Sequence, residues 1–334
     1  MFGVVWIERW NCFGKGKNKK AKINEVLVMT QYIVTGASGF VGKNLVLELA
    51  KKEKNFIYAV VRNEDSDISM IRTLKNVRIL FCTLNNIKTL YDILKKENIR
   101  SFFHLAWEGS TGVRRSDYEL QMKNIIYSVK AFEVAEQLHC EKFLCAGTVS
   151  ENITNQIYKL EIISQNMIYA LAKKMTYDLL NIVSQNSSLK LVWMQFSNIY
   201  GPGNKSGNLI SYTFRELMNG KVPKFGPALQ PYNFIYIADL IQAICCLEKA
   251  VLADNRYFLG SGEVMLLKDY LIQIPAILGI NCEMGIGERP DDGVIFEQDW
   301  FDITTLKQET TFQEKYTFNE GIRETYEKET SKII

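Results

Sequence analysis

The octapeptide Thr35-Gly36-Ala37-Ser38-Gly39-Phe40-Val41-Gly42 stands between two segments of different period. Before it, residues 31–35 form a short apolar run that reads as a buried strand. After it, residues 44–51 carry Leu45, Leu49 and Ala50 toward one face and read as a helix. Three glycines spaced Gly-x-x-Gly-x-x-Gly at such a junction have a physical purpose. Backbone N–H groups at a helix amino terminus hold a pyrophosphate only where no Cβ blocks its approach. A glycine triplet alone is weak evidence, but the strand before it and the helix after it supply the context that a dinucleotide-binding turn requires. Gly36, Ser38, Gly39, Phe40, Val41 and Gly42 are therefore candidate cofactor contacts, with NAD(H) or NADP(H) the expected ligand.

Outward from this turn the same alternation continues. Apolar runs at 56–61, 77–82, 101–106, 142–146 and 191–196 are separated by helical stretches such as 118–138. Strands alternating with helices predict a Rossmann-type, doubly wound parallel α/β sheet. After Asn198 the texture changes to GPGNKSGN, then a helix near 210–218, then KVPKFGPALQP, the composition of loops that cap a site. Residues 234–237 read as a return strand and 239–248 as a helix. The expected organisation is a nucleotide-binding domain of residues 29–197 plus 233–260, with a smaller mixed α/β substrate-binding lobe from 198–232 and 261–334.

Residues 1–28 have a different character. The apolar MFGVVWIERW precedes the basic GKGKNKKAK, the reverse of a secretory signal, and no small-residue cleavage site follows. Two readings stay open: a basic tail that touches a membrane surface, or an extension ahead of a natural start at Met29.

Composition narrows the function classes. Forty basic residues against 37 acidic ones leave a formal charge of +3, too even a balance to mark a nucleic-acid binder. Seven cysteines without a Cys-x-x-Cys pair, and only two histidines, argue against structural zinc and a disulfide framework. They point to a reducing, cytoplasmic setting. No apolar run is long enough to span a bilayer, so no integral membrane association and no metal are expected.

The choice of cofactor rests on the end of the second strand, where an acidic residue binds ribose hydroxyls and an arginine suits a 2′-phosphate. Here the strand ends in Arg62 and Asn63. This favours NADP(H), with NAD(H) the alternative if Asp65 or Asp67 reaches the ribose. Further on, Tyr169 and Lys173 lie four residues apart in a helical segment at 166–180, so their side chains share a face. A phenol is a poor base near neutral pH, and an ammonium one turn away stabilises its anion. Tyr169 could then exchange a proton with a substrate hydroxyl or carbonyl during hydride transfer. Thr148 follows a strand in FLCAGTVS, at the sheet edge where ligands of such folds bind.

In this order TGASGFVG, FFHLAW, AGTVS, YALAK and NIYGPG resemble the extended short-chain dehydrogenase/reductases, the NAD(P)-dependent epimerase/dehydratase family, over residues 31–325. Within it the chain is most similar to nucleotide-sugar 4-epimerases and to 4-ketoreductases of the CDP-abequose-synthase type. The resemblance implies roles by position. Thr148 matches a residue that hydrogen-bonds the reacting oxygen, Tyr169 the acid/base, and Lys173 the cation that lowers the tyrosine pKa and holds the nicotinamide ribose. Leu105 and Ala106 match cofactor contacts at the end of the fourth strand, where the neighbouring His104 is structural. Asn198 matches a residue near the substrate diphosphate, and Arg289 in GERPDD an arginine on that diphosphate, for which a guanidinium fork is well shaped. Trp107, at the carboxyl edge of the sheet, is a candidate substrate contact.

The departures also carry information. Where many relatives have an aspartate for adenine, this chain has Thr83. Where they read Arg-Asp-Phe, it has Tyr232-Asn233-Phe234, so a phosphate-binding cation is replaced by a ring that can stack on a base or sugar. Dehydratases of the family place Asp-Glu after the threonine, whereas Val149 and Ser150 stand here, which disfavours dehydration. The expected function is an NAD(P)-dependent nucleotide-sugar epimerase or reductase acting at C4, as a homodimer. A reductase of a non-nucleotide carbonyl substrate and a non-catalytic NAD(P) sensor remain the alternatives.

Overall fold

A computed structural model describes residues 29–331 except 292 and 294, so the amino-terminal extension and the two readings of it lie outside the described residues. The strand–turn–helix at the glycine run forms as the sequence predicts, with β1 at Thr30–Thr35 and α1 at Phe40–Ala50. The nucleotide-binding half continues with β2 (Asn55–Val61), β3 (Val77–Phe81), α2 (Thr89–Leu94), β4 (Ile99–His104), α3 (Tyr118–Gln137), β5 (Lys142–Thr148), α4 (Met167–Ser184) and β6 (Lys190–Phe196). Then come β7 (Asn198–Tyr200), α5 (Leu209–Met218), β8 (Pro231–Tyr232), β9 (Phe234–Tyr236), α6 (Ile237–Lys249) and β10 (Arg256–Leu259). The chain closes with β11 (Met265–Leu266), α7 (Leu267–Leu278), α8 (Thr304–Glu309) and α9 (Phe318–Thr330).

Seven strands pair in the order β10-β6-β5-β4-β1-β2-β3, all parallel. Alternate residues of each strand feed opposite layers, as a sheet covered on both faces requires. Tyr32, Val34, Phe103, Val192 and Met194 enter the core beneath α1 and α6, whereas Ile33, Phe102, Leu191 and Trp193 enter the core beneath α3. Strand order reverses between β1 and β4, which opens the crevice at their carboxyl ends where ligands of such sheets bind.

Two expectations about strands are corrected. The run at 101–106 leaves the sheet at His104, so Leu105 and Ala106 stand just beyond the strand, and the run at 142–146 extends to Thr148. The expected return strand does not rejoin the main sheet. β9 pairs with β7 in a separate two-stranded parallel ribbon, Asn198 opposite Phe234. Three-residue strands cannot reach back to the sheet while Ser197 Oγ donates to the Asn233 carbonyl at 2.7 Å and ties their starts together.

The segment that carries Thr148 is anchored at both ends. At the start of β5, Lys142 Nζ donates to the carbonyls of Leu247, Glu248 and Ala250 at 2.8, 2.7 and 2.6 Å, a cation closing the carboxyl end of α6. At its end, Thr148 caps a run of 3-10 turns over Val149–Lys159, with Glu151 returning a bond to the Thr148 amide.

Candidate active site

The glycine turn is built to be approached. Gly36 has a φ of +69°, and a Cβ there would lie 2.9 Å from the Ala106 amide nitrogen, so the end of β4 packs directly on the turn. Ala106 N in turn donates to Thr35 Oγ1 at 3.3 Å. At Gly42 a Cβ would fall 2.1 Å from the Gly36 carbonyl oxygen. The amino terminus of α1 has no side-chain cap. Its first amides, at Phe40, Val41 and Gly42, have no intrahelical acceptor and suit a phosphate. A cradle that a Cβ would fill, beside uncapped amides, fits a dinucleotide pyrophosphate.

At the end of β2, Arg62 is exposed, and Asn63 bonds to Ser66 and Asp65 within the loop. Asp67 is bonded to Ser69 at 2.8 Å and lies near Lys43 and Lys205, which help hold its carboxyl below the usual range. Thr83 caps the short turn Leu84–Asn86 with no side-chain bond.

Thr148, Tyr169 and Lys173 come together at the carboxyl end of β5. The Thr148 hydroxyl lies beside the Tyr169 phenol and helps to lower its pKa. Lys173 is 4 % exposed, donates to the Ala146 carbonyl at 2.6 Å, and lies 3.7 Å above the centre of the Trp107 ring. Burial lowers its pKa to about 8, so it titrates near neutrality. Trp107 meets the Tyr169 ring edge-on at 6.1 Å. Through Ala106 and Trp107 the glycine turn and the Tyr169–Lys173 pair form one continuous site.

The electrostatics of the phenol differ from the sequence expectation. Burial pushes Tyr169 up to about 12, and the cation that opposes this is Arg115 rather than Lys173. Arg115 Cζ lies 4.5 Å from the Tyr169 ring centre, whereas Lys173 Nζ is 6.0 Å away and turned toward Trp107. The ammonium is drawn elsewhere: its hydrogen bond to the Ala146 carbonyl and its attraction to the indole face hold it away from the phenol.

Two further groups escaped the sequence reading. Glu151 is fully buried, accepts from the Thr148 amide at 2.8 Å, and takes both of its short contacts to Trp193 Nε1, at 3.1 and 3.0 Å. Its Thr-x-x-Glu spacing is a capping signature legible in TVSE. Burial raises its pKa against the pull of the Thr148 amide. The acid of this segment is thus committed to fixing the Thr148 backbone. Arg115 had no such signal, because only the fold brings its turn against α4.

His104 bridges Thr35 Oγ1 at 3.0 Å and Ser128 Oγ at 3.2 Å. Burial, reinforced by Lys173, depresses its pKa to about 3, so it is a neutral strut. Asn198 accepts from the Tyr232 hydroxyl at 2.8 Å and donates to the Asn233 carbonyl at 3.1 Å, which brings two of the expected substrate residues together. Arg289 stands apart from them. It is exposed, donates to the Tyr212 hydroxyl at 2.7 Å and stacks on that ring at 4.7 Å, in a groove of about 430 Å³ with Arg215, Lys224, Phe225 and Gly226.

The profile of the NAD dependent epimerase/dehydratase family matches residues 32–260. The chain belongs to that family. Among family members, dTDP-4-dehydro-6-deoxyglucose reductase of Escherichia coli is 24% identical over 264 residues, covering 76% of this chain and 83% of its own. CDP-abequose synthase of Salmonella typhimurium is 27% identical over 277 residues, covering 79% and 87%. In three dimensions the chain is similar to UDP-glucose 4-epimerase of Thermotoga maritima with UDP-glucose, at a TM-score of 0.74 and 19% identity over 91% of this chain and all of that one. UDP-glucuronic acid 4-epimerase of Bacillus cereus with UDP-glucuronic acid and NAD gives 0.74 and 18% over 90% and 99%. The family also includes dehydratases. Among the described residues no helix is long and apolar enough to cross a membrane.

Proposed function

We propose that this family member moves hydride at C4 of a nucleotide-linked sugar, with Tyr169 as the acid/base and NADP(H) as the cofactor, and that it works as a 4-ketoreductase. The observation that carries the reading is the joined site: the pyrophosphate cradle packed through Ala106 and Trp107 onto the Thr148–Tyr169–Lys173 cluster. The bound dinucleotide supplies the hydride. Thr148 would hold the reacting oxygen while Tyr169 gives or takes its proton, and Lys173 would bond the ribose from its place over Trp107. The groove of Arg289, Tyr212, Arg215 and Lys224 offers cations and an aromatic face to a nucleoside diphosphate. Glu151, tied to the Thr148 amide and Trp193, is held in a structural role, which disfavours its use as the acid of a dehydration.

The test is incubation with UDP-, CDP-, GDP- and dTDP-linked 4-keto and 4-hydroxy sugars, with and without NADPH. Stoichiometric NADPH loss on a keto sugar is the expected result. A C4 epimer formed without cofactor consumption would replace the reductase reading with the epimerase one. No turnover on any of them, with cofactor bound, would favour a sensor.

Arg62, exposed at the end of β2, supports the choice of NADP(H). Arg62→Ala is expected to weaken NADPH about tenfold, the loss of one charge-assisted bond, and to leave NADH unchanged. Calorimetric titration of both cofactors decides it, and equal effects on the two would sink the preference.

We also propose a homodimer. Met122 and Ile126 on α3 join Leu171, Met175, Leu179 and Ile182 on α4 in an exposed apolar face on two helices that pack together. Sedimentation should find a dimer, and Met175→Glu a monomer; a monomeric wild type would refute the proposal.

A further inference from the structure

The loop between β4 and α3 is held by side chains of α3. Trp107 Nε1 donates to Oε1 of the buried Gln121 at 2.8 Å, and Gln121 Nε2 donates to the carbonyls of Gly109 and Arg114, both at 3.0 Å. Asn124 clasps the backbone of Glu108, accepting from its amide at 3.0 Å and donating to its carbonyl at 2.8 Å. These bonds fix the turn Gly112–Ser116. From it Arg114 reaches Glu108 at 3.7 Å, while Arg115 lies on the face of Tyr169. Arg115 is half-buried, and its Nε is shut off from solvent without a hydrogen-bond acceptor among the described residues. Two rings in edge contact, Tyr169 and Trp107, are flanked by a cation at each end, Arg115 on the phenol and Lys173 on the indole.

A buried donor without an acceptor is rare because it forfeits its hydration. A neutral phenol face offsets part of that loss through cation–π attraction. A phenolate offsets far more, because opposite unit charges then meet in a poorly screened site. We propose that Arg115 is a positioning residue that favours the ionised form of Tyr169, the task that family resemblance gives to Lys173. This inference rests on Tyr169 being the proton-transfer residue. The other groups facing the phenol are Glu151, which opposes ionisation, the Thr148 hydroxyl, which favours it, and Lys173 on its own helix.

The experiment places 3,5-difluorotyrosine at position 169, a phenol that ionises within the range where the protein stays folded. Its fluorine resonance is followed against pH in the full chain, without substrate or cofactor. Arg115→Gln should raise the midpoint by about one unit, a tenfold fall in the ionisation constant, and Arg115→Lys should recover more than half of that. An unchanged midpoint in Arg115→Gln overturns the proposal. So does an equal rise in both variants, since that would report lost packing rather than lost charge. Failure of the functional reading shows separately, as full turnover by Tyr169→Phe, whatever the fluorine titration gives.

Discussion

Tyr169→Phe should fold, bind NADPH with unchanged affinity, and turn over its nucleotide sugar about a thousandfold more slowly. The ring of Tyr169 is 9 % exposed and packs against Trp107 and Arg115, contacts that phenylalanine keeps. What is removed is one oxygen, the one beside the Thr148 hydroxyl. Packing and proton transfer are thereby separated within a single substitution. Cofactor affinity comes from calorimetry and turnover from initial rates on the preferred nucleotide sugar. A variant that retained more than about a tenth of the wild-type rate would remove Tyr169 from the chemistry, because general acid–base groups contribute at least a hundredfold.

Gly42→Ala is the second large effect, and it acts through backbone rather than chemistry. The new methyl would stand 2.1 Å from the Gly36 carbonyl oxygen and 3.0 Å from the Ala37 Cα. Neither neighbour can yield as a side chain would, since Gly39 N donates to that same Gly36 oxygen at 2.9 Å and Ala37 N is tied to the Val60 carbonyl at 3.2 Å. The amino terminus of α1 must therefore tilt away from the turn. The expected outcome is loss of cofactor binding by about a hundredfold or more, with stability reduced by roughly 1–3 kcal/mol as in other overpacked sites. Thermal unfolding and NADPH titration measure the two parts. Native affinity in Gly42→Ala would show that the close approach of turn and helix is not what holds the cofactor.

Most elements of the nucleotide-binding half were legible because each announces itself locally, whereas β10, the seventh strand of the sheet, was not read. The glycine spacing, the apolar runs and the helical period each depend on residues close in sequence, and β1, α1, β2, α3 and β6 fall within a few residues of their expected bounds. The pairing of β9 with β7 was not legible, since two three-residue strands carry no pattern that says which neighbour they will take. The same divide runs through the site. Thr148, Tyr169 and Lys173 lie on adjoining elements and could be assembled from motif order. Arg115 and Tyr212 could not, because each acquires meaning only from a partner on a distant segment: Tyr169 in one case, Arg289 in the other. The direction in which the Lys173 ammonium points depends on Trp107, 66 residues earlier in the chain, and helical spacing alone carries no sign of that partner.

The packing of α1 against α6 bears on how such a chain acquires its function. Leu45, Val46 and Leu49, on the buried side of the helix that opens the glycine turn, share one core with Leu240, Ile241 and Ile244. Those contacts span nearly two hundred residues, so the entropy of closing that loop falls on the oldest part of a nascent chain. The phosphate cradle is encoded near the start of the described residues, yet its apolar support emerges from the ribosome much later. Chaperone protection during synthesis would therefore matter most for this half, whose strands wait with one face bare until α6 arrives.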